Sequence, residues 1–187
     1  MVETRHGIGS YVKLPGDWQL LEPLLLQLLI DTGHLPDIGR ELVELRASIE
    51  VEAARLAAQH ITPGHLQQLN NWLAVMELSL HEDVESFARA DVAFHNVIID
   101  STDNRFFVQI MNKLAYPLIT ARRLTSELGG IPSRTEAQMW HRRIYEAIVS
   151  RDSAAAADAM RAHMTQLDSV IKQALVVMVA AGNVTST

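Results

Sequence analysis

The sequence predicts an all-α protein, an antiparallel bundle of six to seven helices that follows a short N-terminal β-hairpin. Three observations support this fold class. Apolar residues recur at helical spacing from residue 18 onward, which is typical of amphipathic helices. Capping residues and Pro or Gly breaks divide that stretch into segments of helical length. The 187 residues are 48% apolar, which is enough for one substantial core, and they include no cysteine, which excludes disulfides and thiolate metal ligands.

The hairpin is predicted by residues 1–14. Two β-prone runs, residues 2–5 and 10–14, flank a glycine-bearing turn. Because two strands alone are marginally stable in water, we expect this hairpin to belong to a larger β-containing unit. A Pro-Gly-Asp break separates it from the helical domain, which we assign to residues 15–187.

The helical segments follow in order, each with its own start signal. Thr62 is an N-cap with Pro63 at the first helical position, and Asp103 and Asp152 can cap later helices. The expected helices are residues 18–31, 37–60, 62–80, 82–101, 104–128, a segment from 133, and 152–180.

The clearest interruption of the helical pattern is the Gly-Gly-Ile-Pro run at residues 129–132. Ser133 and Glu136 match a capping box, so a new helix should begin there. Pro117, inside the preceding segment, is a candidate kink.

Three helices have an apolar stripe that is interrupted by a metal-capable side chain. Asp91 and His95 are four residues apart and therefore share one helical face. Asp91 occupies a core position, where an unpaired carboxylate would be costly. His141 and His163 interrupt the stripes of the last two helices in the same way. Together the stripes predict one buried metal site formed by these four side chains.

Each of these residues has a simpler interpretation when taken alone. Asp91 and His95 could form a surface ion pair worth roughly 0.3–0.5 kcal/mol. His141 and His163 could be hydrogen-bonded core residues. All four fall in apolar stripes, which favours the joint site. Neutral imidazoles and a carboxylate suit several metals. We expect one divalent transition metal ion, with zinc ahead of nickel, manganese, iron or cobalt; an octahedral ion would keep two positions for water or a small carboxylate.

Charge and hydropathy limit the possible partners. The formal charge of −6 argues against a nucleic-acid surface over the main body. Nothing resembles a signal peptide, and the apolar runs are too short to span a bilayer. We therefore expect a cytoplasmic protein without a membrane partner.

The motifs in combination resemble a known family. Asp91 and His95, followed by Asn104, are similar to the FCD effector domain of FadR-type GntR transcription regulators, and so is the spacing of His141 and His163. Residues 46–58 are similar to the first long helix of that domain, and the resemblance extends over about residues 18–180.

The resemblance implies a homodimer with a metal ion at the floor of a central cavity in the helical bundle. The cavity would bind a small organic or sugar acid, and this effector would change how the dimer holds DNA. Arg46 would clamp the carboxylate of the effector, because a guanidinium matches it bidentately, and Asn104 would be a second effector-binding residue. The residues alone favour a different interpretation of Arg46, an exposed ion pair with Glu50 four positions later.

Residues 4–12 resemble the wing that closes a GntR winged helix. The helix-turn-helix that should precede such a wing is not part of the 187 residues. We therefore expect DNA binding only through a winged helix that is largely absent from this sequence, and no operator-specific binding by these residues alone.

The leading functional hypothesis is a non-enzymatic, metabolite-sensing domain with no catalytic residues. The rival is a metal-dependent hydrolase or isomerase, because an Asp/His₃ site with open positions can activate water. Against it, no spare acid or base is expected near the four ligands, since Glu136 and Glu146 are out of register with His141. A purely structural metal is the third alternative.

Overall fold

The computed structural model describes residues 2–7 and 9–182; Met1, Ile8 and residues 183–187 lie outside that description. It confirms the all-α bundle with an N-terminal hairpin. The elements are β1 (Val2–Arg5), β2 (Gly9–Val12), α1 (Pro23–Leu29), α2 (Leu35–His60), α3 (Pro63–Ser79), α4 (Val84–Asp100), α5 (Arg105–Val149) and α6 (Ser153–Gly182).

The hairpin pairs β1 with β2 in antiparallel register, from Val2 opposite Val12 to Arg5 opposite Gly9. Gly7 and Gly9 have φ values of +78° and +103°, which explains the glycines of this turn. Ile8, also in the predicted turn, is outside the described residues. Every residue of β2 is exposed, so the hairpin adds little to the helical core.

The first helix is shorter than the pattern predicts. It begins at Pro23 rather than at residue 18, because proline fits the first turn of a helix but not its interior. A π-helical turn, Ile30–His34, connects it to α2, and Gly33 lies there with φ +85°. The predicted stop at Thr32 and Gly33 is therefore confirmed, whereas the predicted start is wrong.

Helix α2 lies at the centre of the bundle and contacts α4, α5 and α6. Four small residues of α2 are completely buried, which lets the neighbouring backbones approach closely; they are Ala53, Ala54, Ala57 and Ala58. Because α2, α4, α5 and α6 all meet here, polar side chains on their inner faces come together in one place.

Two of the predicted N-caps are confirmed. Thr62 Oγ1 accepts from the backbone N–H of His65 at 3.2 Å, and Asp152 Oδ1 accepts from that of Ala155 at 2.9 Å. The third is one residue off, because Asn104 rather than Asp103 caps α5. Asp103 instead takes a left-handed conformation, with φ +62°.

Helix α5 consists of two helical segments that meet at a kink, and these segments correspond to the two helices expected on either side of residues 129–132. Its non-helical backbone angles are at Gly130 (φ +61°, ψ −162°), and not at Pro117. The predicted break at residues 129–132 is therefore confirmed, because a second helical segment follows Gly130. The capping box at Ser133 and Glu136 stays a prediction. Ser133 Oγ lies 3.2 Å from Gln166 Nε2 of α6 and accepts its hydrogen bond.

The break at Gly130 is supported by a buried arginine. Arg134 donates to the carbonyl oxygen of Leu80 at 2.7 Å and to that of Ser126 at 2.9 Å. It thereby connects the end of α3 with both sides of Gly130. The two segments of α5, before and after Gly130, are held at a defined angle.

Candidate metal centre

Helix α4 supplies two adjacent donors on its buried face. Asp91 and His95 are 1% and 2% exposed, and the apolar residues of the same stripe, Phe87 and Phe94, are fully buried. The four-residue spacing places both polar side chains on the inner face of α4, as the stripe predicted.

Helices α5 and α6 each add one histidine to the same point. His141 and His163 are 0% and 1% exposed. One potential ligand atom from each of Asp91, His95, His141 and His163 lies within 4.8 Å of the other three. The structure thus brings together all four residues that the interrupted stripes pointed to.

Several polar atoms of this cluster have no hydrogen-bond partner within the described part of the chain. They include Asp91 Oδ2, His95 Nε2, His141 Nδ1 and His163 Nδ1. Buried polar atoms without partners are rare in folded proteins. A carboxylate oxygen and three imidazole nitrogens are also the donors that divalent transition metals prefer, so this buried group could hold an ion.

The protonation states suit a metal ion as well. Burial lowers the pKa of His141 to about 4, and burial together with the neighbouring histidines lowers the pKa of His163 well below its usual range. Burial opposes ionisation of Asp91, but Arg122 and His141 outweigh it and hold the pKa of Asp91 well below the usual value. Near neutral pH these residues therefore present two neutral imidazoles and a carboxylate, as metal binding requires.

Arg122 is a member of the centre that the sequence interpretation missed. Its side chain is 3% exposed, and Nε donates to Asp91 Oδ1 at 2.9 Å. It follows Leu118 and Ala121 on the buried face of α5, so an arginine in an apolar stripe was the available signal. The guanidinium Nη2 has no hydrogen-bond partner among the described residues.

Glu50 is the second missed residue, and it changes the interpretation of Arg46. Arg46 Nε donates to Glu50 Oε1 at 2.7 Å, and the two residues are 4% and 1% exposed. The ion pair expected between them is present, but its expected exposure is wrong, because this part of α2 faces the bundle interior. Glu50 Oε2 also lies 2.6 Å from His95 Nδ1.

The expectation of no spare acid or base near the four ligands did not take Glu50 into account, which lies beside His95 but is paired with Arg46. Burial opposes ionisation of Glu50, yet Arg46 and His95 outweigh burial and lower its pKa to about 2. A carboxylate with so low a pKa is a poor general base near neutral pH. Glu50 accordingly gives no support to a hydrolytic role.

A small cavity extends to the two arginines of the centre. Its volume is about 20 Å³, which is room for one or two water molecules. Arg46 and Arg122 lie on its wall among apolar side chains from α2, α5 and α6: Leu42, Val43, Leu118, Ala121, Leu167 and Ile171. Two guanidinium groups in an apolar cavity are suited to an anion.

Asn104, the other expected effector-binding residue, has a capping role. Its Oδ1 accepts from the backbone N–H groups of Phe106 at 3.0 Å and Phe107 at 3.4 Å, at the start of α5. It does not line the cavity beside Arg46 and Arg122. An effector contact by Asn104 stays a prediction.

Comparison with known proteins gives a consistent result. The profile of the FCD domain matches residues 41–166. The chain is 30% identical over 174 residues to the HTH-type transcriptional regulator LutR of Bacillus subtilis, covering 91% of this chain and 77% of that protein. It is 24% identical over 162 residues to the galactonate operon transcriptional repressor of Escherichia coli, covering 85% and 69%.

A solved structure, Streptococcus agalactiae GntR, is similar with a TM-score of 0.61 and 28% identity over 89% of this chain and 73% of that one. The two relatives are named as transcriptional regulators and the solved structure is named GntR, and these matches confirm the expectation that the chain is not an enzyme. Within the described residues, no helix has both the length and the apolar character needed to cross a membrane.

Proposed function

Because this chain belongs to the FCD domain family of transcription regulators, we propose that its buried centre binds one divalent transition metal ion together with a small organic acid. The acid would be an effector that changes how a dimeric regulator holds DNA. The observation that carries this proposal is the convergence of four buried donor residues within 4.8 Å. We assign Asp91, His95, His141 and His163 as the metal ligands.

Charge balance supports an acidic effector. The carboxylates of Asp91 and Glu50 offset the guanidinium groups of Arg46 and Arg122, while metal-bound imidazoles are neutral. A divalent ion would therefore leave two positive charges without partners in a buried site, which is costly. A carboxylate bound beside the ion would offset one of these charges, and a dicarboxylate would offset both.

The cavity supports the same chemistry. Its lining comes from α2, α5 and α6, and Arg46 and Arg122 are the charged groups on its wall. With only about 20 Å³ available, binding of an acid requires the apolar side chains that line the cavity to separate. One relative is named for a galactonate operon, and this supports sugar and hydroxy acids as the first compounds to test.

The test is metal analysis of the purified chain followed by thermal unfolding with acids. We expect close to one transition metal ion per chain by elemental analysis. D-galactonate, L-lactate and L-malate should be tried with metal-loaded and chelator-treated protein. An acid present at a hundredfold excess over its Kd should add about 2.7 kcal/mol to the free energy of unfolding, and only when metal is bound.

The possible outcomes separate the three functional hypotheses. Protein that contains no metal, when purified without chelator, would refute the metal centre. Metal binding without stabilisation by any acid would favour a purely structural ion. Conversion of an acid by the metal-loaded chain would favour the hydrolase or isomerase alternative.

A further inference from the structure

The buried carboxylate of Glu50 contacts both His95, a proposed metal ligand, and Arg46, a proposed effector-binding residue. Glu50 Oε2 lies 2.6 Å from Nδ1 of His95, and Glu50 Oε1 accepts from Nε of Arg46 at 2.7 Å. Glu50 is 1% exposed and belongs to α2, whereas His95 belongs to α4. The contact therefore depends on how two helices pack, and not on local sequence.

We propose that Glu50 is the positioning residue of the metal centre: it holds the proton of His95 on Nδ1, so that Nε2 is the nitrogen available to an ion. A neutral imidazole carries one ring proton, and a carboxylate beside one nitrogen keeps the proton there. His95 Nε2 is buried and has no hydrogen-bond partner in the described structure. The inference rests on the proposed metal centre and specifies how one of its ligands is oriented.

The two buried carboxylates of the centre have different surroundings, which supports different roles. Asp91 Oδ1 is engaged by Arg122 and lies 3.2 Å from His141 Nε2, but Asp91 Oδ2 has no hydrogen-bond partner in the described chain. Asp91 Oδ2 is therefore available to coordinate an ion.

In Glu50, by contrast, both oxygens are engaged. Oε1 accepts from Arg46 Nε, and Oε2 faces His95 Nδ1 while Arg46 Nη2 lies 3.4 Å away. Asp91 is thus the carboxylate that can coordinate a metal ion, whereas Glu50 orients His95. Arg46 in turn holds Glu50 in place through hydrogen bonds to both of its oxygens.

The experiment compares two glutamates of α2 that are two residues apart. Glu50→Gln keeps the size of the side chain but removes its charge, whereas Glu52→Gln changes a partly exposed glutamate that pairs with Arg55. Affinity of the full chain for Zn²⁺ and Co²⁺ is measured by competition with a chromophoric chelator. We expect about 10- to 100-fold weaker binding for Glu50→Gln, the usual effect of losing such a partner, and an unchanged affinity for Glu52→Gln.

Two further readouts separate positioning from a general loss of stability. The visible absorption spectrum of bound Co²⁺ should change in Glu50→Gln, and ¹⁵N NMR of the metal-free variant should show the His95 proton redistributed between Nδ1 and Nε2. Arg46→Met removes the same ion pair but leaves Glu50 beside His95. It should therefore bind metal more tightly than Glu50→Gln does.

The outcomes distinguish this inference from the proposed function. If wild-type protein binds no metal, the metal centre itself is wrong. If wild type binds metal and Glu50→Gln binds it equally well, with an unchanged Co²⁺ spectrum, Glu50 does not position His95 while the metal centre stands. Equal weakening by Arg46→Met and Glu50→Gln would show a loss of packing and would also overturn the inference.

Discussion

Arg122 donates through Nε to Asp91 Oδ1 at 2.9 Å, and both side chains are almost completely buried. This pair connects the first segment of α5 to α4, and its arginine and aspartate are 31 positions apart in the chain. It also sets the charge of the candidate metal ligand, because the arginine keeps the Asp91 carboxyl ionised despite burial. Removal of the arginine alone would leave a buried carboxylate without a compensating charge.

Replacement of Arg122 by alanine should therefore lower the free energy of unfolding of metal-free protein by about 3–5 kcal/mol. A bound metal ion should restore part of this loss, because it supplies positive charge to Asp91. Urea denaturation with and without chelator measures both effects. The matched control is Arg123→Ala, which removes a partly exposed arginine paired with Glu127 and should cost no more than about 1 kcal/mol. Equal costs for the two variants would contradict the role given to Arg122.

Replacement of either His141 or His163 should remove most of the bound metal. His141→Ala and His163→Ala each delete one of four donors, and the melting temperature of the metal-loaded protein should fall as well. Elemental analysis of chains purified without chelator gives the metal content. His81→Ala, which changes an exposed histidine, should keep the wild-type metal content. Full metal occupancy in both late-histidine variants would exclude the assigned ligand set.

Arg46→Met should abolish stabilisation by the acid while the metal stays bound. Arg46 lies on the cavity wall, and a guanidinium is the group that matches a carboxylate. Thermal shift with metal-loaded protein measures the effect. The control Arg40→Met changes an exposed arginine of the same helix, which pairs with Glu44, and should leave the shift intact. If Arg46→Met responds to the acid as strongly as wild type does, Arg46 serves only to hold Glu50.

Gly130→Ala should destabilise the chain by about 1–3 kcal/mol, because its φ of +61° and ψ of −162° lie in a region open almost exclusively to glycine. The substitution should also weaken metal binding, since it changes the angle between the α5 segments that carry Arg122 and His141. Chemical denaturation and metal titration test these two effects.

Gly64→Ala provides the comparison for Gly130. Gly64 lies in the first turn of α3, and a Cβ there would come no closer than 3.8 Å to its nearest neighbour. Alanine at this position should be neutral or stabilising by up to about 1 kcal/mol. If Gly130→Ala lowered the free energy of unfolding no more than Gly64→Ala does, the backbone at the break in α5 would not be strained.

The inward direction of the metal-capable residues was determined by the sequence itself. Helical periodicity decides which face a residue occupies, so Asp91, His141 and His163 could be assigned to buried stripes without knowledge of their neighbours. Local capping chemistry likewise determined the start of α3 at Thr62 and of α6 at Asp152, because a cap involves only residues a few positions apart.

Only the tertiary structure decided which groups surround those ligands. The contacts between Glu50 and His95, and between Arg122 and Asp91, join residues on different helices. Periodicity gives the face of a helix but neither its neighbour nor its register against that neighbour. The pairing of Arg46 with Glu50 was readable from a spacing of four residues, but its burial was not, because burial depends on α4, α5 and α6 packing over that part of α2.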